Sequence, residues 1–180
     1  MKMIGKGALA AAVLMSVCLS GCGGEKADER VISPKTVCYK DIEYTINERC
    51  EDRSDFVHEI GEDGKSSLTI CNEGKDKPAL VLLSDDSARR VRCIMISDKK
   101  AEFHKGIGIG ATKDEIRQAY EYETENSFSI MVCFEGENEL DLSVEENKFI
   151  EYSTITYQFD ENDKVKKITV ADKTWNGSMK

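Results

Sequence analysis

The chain predicts an α+β fold of two tandem units, each a short helix laid against an antiparallel sheet. Three observations point there. Val91, Ile94, Ile96 and Asp98 have the same spacing as Val165, Ile168, Val170 and Asp172. Each set follows an apolar strand and an acid-rich turn, Ser84-Asp85-Asp86 in one and Phe159-Asp160-Glu161 in the other. Helix candidates at Arg53 to Ile60 and Asp114 to Tyr120 precede comparable runs of strands. A repeat of a helix followed by strands implies one sheet per copy, covered on one face by its helix.

The expected segments are a signal at 1–21, a flexible tether at 22–35, a first unit at 36–105, a second at 106–174 and a frayed end at 175–180. At 180 residues, 40% apolar and 33% charged, the composition is that of a globular chain. The net charge is -9, and residues 1–21 hold Lys2 and Lys6 but no acid, so the remainder is more acidic still. That balance argues against nucleic acid, whose phosphates need clustered Lys and Arg. It also argues against adhesion of the body to anionic lipid.

Two lysines followed by the apolar run Ala8 to Leu19 have the flanks of a signal peptide and are short for a membrane span. The run ends in Leu19-Ser20-Gly21-Cys22, which resembles a bacterial lipobox. That resemblance implies lipidation at Cys22, anchoring on the extracytoplasmic face of the cell membrane, and no spanning helix. Gly23 to Ile32 is polar and aperiodic, as a tether would be.

Thr36 to Asn47 is rich in β-branched and aromatic residues and reads as a strand or extended lead-in. Cys50, Phe56, Val57 and Ile60, with Gly61 after them, suit a short amphipathic helix. Ser66 to Cys71, Ala79 to Leu83 and Arg90 to Ser97 are strand candidates, with turns over Asn72 to Pro78 and Asp85 to Ala88. In the second half, Thr112 to Glu115 fits a capping box, and Ile116, Ala119 and Tyr120 share a face behind it. Phe128, Ile130, Val132 and Phe134 alternate, as do Leu140, Leu142 and Val144, and again Ile155, Tyr157 and Phe159. Lys164 to Ala171 closes the unit.

Catalytic chemistry finds little support. Gly106-Ile107-Gly108-Ile109-Gly110 precedes a helix but lacks the spacing of a phosphate loop. The simpler role for these glycines is a tight junction between the two copies. His58 and His104 have no neighbouring Cys or His at metal-ligand spacing, so no metal or cofactor is expected. Beyond Cys22, five cysteines remain, an odd number that leaves at least one thiol outside any intramolecular bridge. Cys38, Cys50 and Cys71 are the bridge candidates in an oxidising compartment; Cys93 and Cys133 lie among apolar strand residues and read as buried thiols. The acids of Glu135 to Glu146 and Asp160 to Asp163 read as solvated turns and strand edges.

Lys105 to Ile116, followed by Ala119-Tyr120, resembles a Gly-turn-helix pattern of cell-surface lipoproteins from Gram-positive anaerobes. Cys71 to Lys77 resembles the Cys and Gly-x-Asp-Lys turn of the same proteins. Ala111 and Glu121 depart from that pattern. The layout is also similar to SmpA/OmlA-type assembly lipoproteins and to β-lactamase inhibitor proteins, with their tandem helix-on-sheet units. These resemblances imply a binding surface on an open sheet face and carry over no catalytic residue. The expectation is a membrane-anchored, non-enzymatic module that binds a protein partner or scaffolds the envelope. The alternatives are a proteinaceous enzyme inhibitor and, ranked below it, a carbohydrate-active hydrolase using acidic residues.

Overall fold

A computed structural model describes residues 31–50, 54, 56–60, 66–71, 78–85, 90–144 and 151–172. The lipobox at Cys22 and the end at 175–180 lie outside the described residues. Eleven strands and one α-helix are described. In chain order they are β1 (Thr36–Tyr39), β2 (Ile42–Thr45), β3 (Val57–Ile60), β4 (Ser66–Cys71), β5 (Leu80–Asp85) and β6 (Val91–Ile96), then α1 (Lys113–Ala119). After the helix come β7 (Thr124–Asn126), β8 (Ser129–Glu135), β9 (Asn138–Glu139), β10 (Ser153–Phe159) and β11 (Val165–Asp172).

The predicted architecture of two helix-plus-sheet units does not hold. The fold is mostly β, and one antiparallel sheet runs through both halves in the order β3, β4, β5, β6, β11, β10, β8, β7, with β9 beside β8. Each half contributes a meander, and the halves join through their last strands. The two repeated motifs are those strands. Ile96 pairs with Ile168, Met95 with Thr169 and Ile94 with Val170. Matching motif positions therefore cross about a centre at Met95 and Thr169. The hairpins beside the seam share a further detail, a register shift at Leu83/Ser84 in one and at Gln158/Phe159 in the other.

Among the described residues, the first predicted helix does not form. Val57–Ile60 forms strand β3, paired with β4 from Val57 opposite Ile70 to Ile60 opposite Ser67. The apolar stripe that suggested a helix is split: Cys50 and Phe56 pack on the core, whereas Val57 is 54% exposed and Ile60 78% exposed. A short helix without a packed face is marginal in water, whereas pairing with a neighbouring strand satisfies the backbone at once.

The lead-in at Thr36 to Asn47 is a hairpin, not one strand. Thr36 pairs with Thr45 and Tyr39 with Ile42. Lys40 and Asp41 both take positive φ, 55° and 61°, as a two-residue primed turn requires. No glycine marks that turn, so its sequence signal is weak. Leu140, Leu142 and Val144 also fail to form a strand: β9 stops at Glu139, and Val144 is 44% exposed. Phe128, expected on the same face as Ile130, sits before β8 and is 80% exposed.

The second helix forms as read. The Thr112 hydroxyl accepts from the Glu115 amide at 3.2 Å, and the Glu115 carboxylate accepts from the Thr112 amide at 2.7 Å. Tyr120 ends the helix by turning extended, and its hydroxyl lies 2.8 Å from that of Tyr157 in the core. Two glycines of the junction are needed for their backbone: Gly106 has φ 70° and Gly110 φ 97°. Gly110 donates to the Val165 carbonyl at 2.7 Å, and Val165 to Ala111 at 2.9 Å, which hooks the junction onto the start of β11.

Strand alternation separates two faces. On one, Leu80, Ile96, Ile168, Tyr157 and Ile130 line up across five strands, beside Leu82, Ile94, Val170, Ile155 and Val132. All ten are at most 1% exposed. Each contributes on the order of 1.5–3 kcal/mol by leaving water. This face is covered by Val37, Tyr39, Tyr44 and Ile46 of the hairpin, by Phe103, and by Ile116 and Tyr120. The hairpin thus occupies, in the first half, the layer that α1 occupies in the second. The chain is already packed at Ile32, whose carbonyl lies 2.7 Å from His104 Nδ1.

Candidate functional site

Among the described residues, no helix or hairpin packs over the opposite face of the sheet. Its central row runs Val81, Met95, Thr169, Thr156 and Met131 across β5, β6, β11, β10 and β8, and ends at Thr124 on β7. The first five are half-buried and Thr124 is exposed. The row contains no charged side chain. Next to it run Leu83, Cys93, Ala171, Thr154 and Cys133. Leu83, Cys93 and Ala171 form a small buried cluster with Met95 packed on it. These two rows therefore combine methionine, threonine and small apolar groups, a mixture able to form apolar contacts and hydrogen bonds, with Lys167 opposite Gln158 in the next row.

At its β8 end the open face drops into a cleft of about 390 Å³. The floor is Met131, Cys133, Leu140 and Leu142. Glu121, Tyr122, Glu123 and Asp141 stand around it. Glu139 fixes one wall, accepting from the Glu121 amide at 2.7 Å and the Tyr122 amide at 3.4 Å. Lys105 donates to the same carboxylate and, at 2.7 Å, to the Ala119 carbonyl at the end of α1. The other wall hangs from β8 through the Leu140 amide, 2.8 Å from the Cys133 carbonyl. Asp141 Oδ1 accepts from the Ser143 amide at 2.8 Å and shapes the turn there.

Titration follows these contacts. The Ser143 hydroxyl and amide hold the Asp141 carboxyl below its ordinary range. Burial pushes Glu139 up, but hydrogen bonds from Lys105 and the Glu121 amide outweigh it and leave the carboxyl lowered. Tyr122 is pushed up, first by its hydrogen bond to Glu121 and by that charge, then by burial and by Asp141 and Glu139. Burial raises the Cys93 thiol to about 12, against a smaller opposing effect of Lys167, and raises Cys133 to about 11.

The expected bridge candidates are spread through the fold. Cys38 lies in β1, Cys71 ends β4 and Cys50 follows the hairpin; all three are thiols in this structure, as are Cys93 and Cys133. Cys71 is buried in the main core, and Cys50 packs against that core. His58 is exposed on β3. His104 is half-buried, with its ring against Tyr120 and Phe134. Among the described residues, no group of three or more His, Cys, Asp or Glu could hold a metal ion.

The cleft was not foreseen, because its floor and walls come from segments read separately as strand, helix end and acidic turn. The geometry of the described residues is that of a largely β-sheet domain with one face covered by the first hairpin and α1. No family model matches the chain, and no curated protein or solved structure does.

Proposed function

We propose that this chain is a lipoprotein, anchored through Cys22 on the extracytoplasmic face of the membrane, and a non-enzymatic module that binds a protein partner. The observation that carries the binding half of this reading is the uncharged row from Val81 to Met131 on the open face. Apolar and hydroxyl groups across five strands form a broad platform with little desolvation cost. The anchoring half rests on the lipobox.

The alternatives have less support. An inhibitor of the tandem-unit kind would offer a cluster of aromatic anchors on this face; the two rows contain none, and Tyr122 stands at the cleft at their end. A glycoside hydrolase needs one carboxyl held above its ordinary range as general acid. Asp141 and Glu139, beside the cleft, are instead held below it.

The test is site-specific photo-crosslinking in the native membrane. A photoreactive residue replacing Thr156 or Thr169 is expected to capture a discrete partner, and the same residue at Glu161 is not. Adding Met131→Lys to the Thr156 probe should abolish that capture while the protein stays folded. Equal labelling from Thr156 and Glu161, or capture insensitive to Met131→Lys, would overturn the reading.

A further inference from the structure

We infer that the segment after β11, residues 173–180, folds back over the open face and lays Trp175 on the cluster of Leu83, Cys93 and Ala171. This goes beyond the partner-binding reading, because it names a part of this chain that occupies one end of the same face. It rests on the lipoprotein reading in one respect, the removal of residues 1–21.

The burial of the cluster carries it. Leu83, Cys93 and Ala171 stand side by side in one row across β5, β6 and β11, and each is at most 8% exposed. Side chains of one row point away from the sheet, so a cysteine and an alanine beside a leucine stay wet from above unless something lies over them. Thr154, next in the row, is only half-buried, as are Met95 and Thr169 in the row beside it. The shielding is local to the end of the sheet where β11 finishes, and no described helix or hairpin supplies it.

The cover is apolar, since a polar group laid on this cluster would lose water without gaining a partner. Residues 23–30, 51–53, 61–65, 72–77 and 86–89 hold no apolar side chain larger than alanine. Residues 145–150 hold Phe149 and Ile150, but they lead from Val144 beside the cleft to β10, both on the far side of β11 from Leu83 and Cys93. Residues 173–180 begin directly after Asp172, next to the cluster itself, and hold Trp175 and Met179. A two-residue link is enough to reverse an extended chain, so Lys173 and Thr174 suffice to return Trp175 over the row. A tryptophan buries on the order of 150–250 Å², which suits a cover lying across neighbouring strands. With Trp175 so placed, the central row from Thr169 to Met131 is what remains for a partner, and the indole forms one margin of that platform.

The test is fluorescence of the purified mature chain, in which Trp175 is the only tryptophan. Its native emission is expected to be blue-shifted from that of N-acetyl-tryptophan amide and shielded from acrylamide, and denaturant should remove both effects. Met95→Lys should return the emission to the red, whereas Met131→Lys, three strand steps away in the same row, should not. Trp175→Ala and removal of residues 173–180 should each speed labelling of Cys93 by a thiol reagent, located by mass mapping, with the native amide spectrum retained; Phe149→Ala should not. Solvent-like emission with unhindered quenching in the native chain would overturn the inference. So would labelling of Cys93 that responds to Phe149→Ala and not to Trp175→Ala, which would assign the cover to residues 145–150. The mass of the same chain shows whether residues 1–21 have been removed, so a failure of the lipoprotein reading is recognised separately. No partner is needed, so these readouts can succeed where crosslinking fails, and fail where crosslinking succeeds.

Discussion

Cys93 and Cys133 share a row of the sheet, three strand steps apart, and both are buried, Cys93 among Leu83, Ala171 and Met95. Burial raises both thiols, to about 12 and about 11. At pH 8 a thiol near 12 has on the order of a thousandfold less thiolate than an ordinary cysteine. Both are expected to resist a thiol-specific disulfide reagent in the native protein and to react at once in denaturant. Mass mapping of the modified sites checks this; rapid native labelling at Cys93 would contradict its packing. Their burial was legible in the sequence from the large apolar residues beside them. Tyr122 was not, because nothing local distinguishes a tyrosine at a cleft rim from one on any surface.

At the scale of single elements, α1 is the clearest case of local control. Its capping box is closed in both directions, and its seven residues bury only Ile116. Thr112→Ala is expected to cost about 1 kcal/mol in chemical denaturation, a typical value for losing an N-cap. The pH dependence has a definite sign. Glu115 is held below its ordinary value, first by the Thr112 amide and then by its hydroxyl. A lowered carboxyl stabilises the fold above its unfolded-state value, near 4.5, and that contribution disappears as pH falls through the lower folded value. Glu115→Gln should therefore flatten the loss of stability below about pH 4.5, measured by denaturation at several pH values. An unchanged acid profile would mean that the box is not closed in solution. β3 shows the opposite regime. The same helical spacing that correctly placed α1 fails at Val57 and Ile60, which stay exposed while only Cys50 and Phe56 of that stripe reach the core.

At the scale of the whole molecule, the seam between β6 and β11 decides the architecture. Two continuous core rows cross it, with Ile96 against Ile168 and Ile94 against Val170. Cutting the chain at the junction would expose those four side chains and leave two unpaired strand edges. The halves 31–105 and 106–180, expressed apart, are expected to lack cooperative unfolding and native amide dispersion. Mixing the unfolded halves should restore both in part. A first half that folds alone would show the seam to be dispensable. The central row depends on this joining, since it takes its members from both meanders, whereas the cleft is lined by residues of the second alone.

Taken alone, the sequence determined what short-range physics can determine. It settled the repeated spacing from Val91 and from Val165, the positions of most strands, the capped start of α1, and the net acidity of the chain. These signals are carried by a few neighbouring residues and their periodicity. The tertiary structure decided what depends on partners far along the chain. It made two expected sheets one, put strand β3 where a first helix was expected, and brought the segments at 121–124, 131–133 and 140–143 around one cleft. The physical reason is that pairing and burial are settled by the competition among all available surfaces, and a residue pattern records only what one segment brings to that competition.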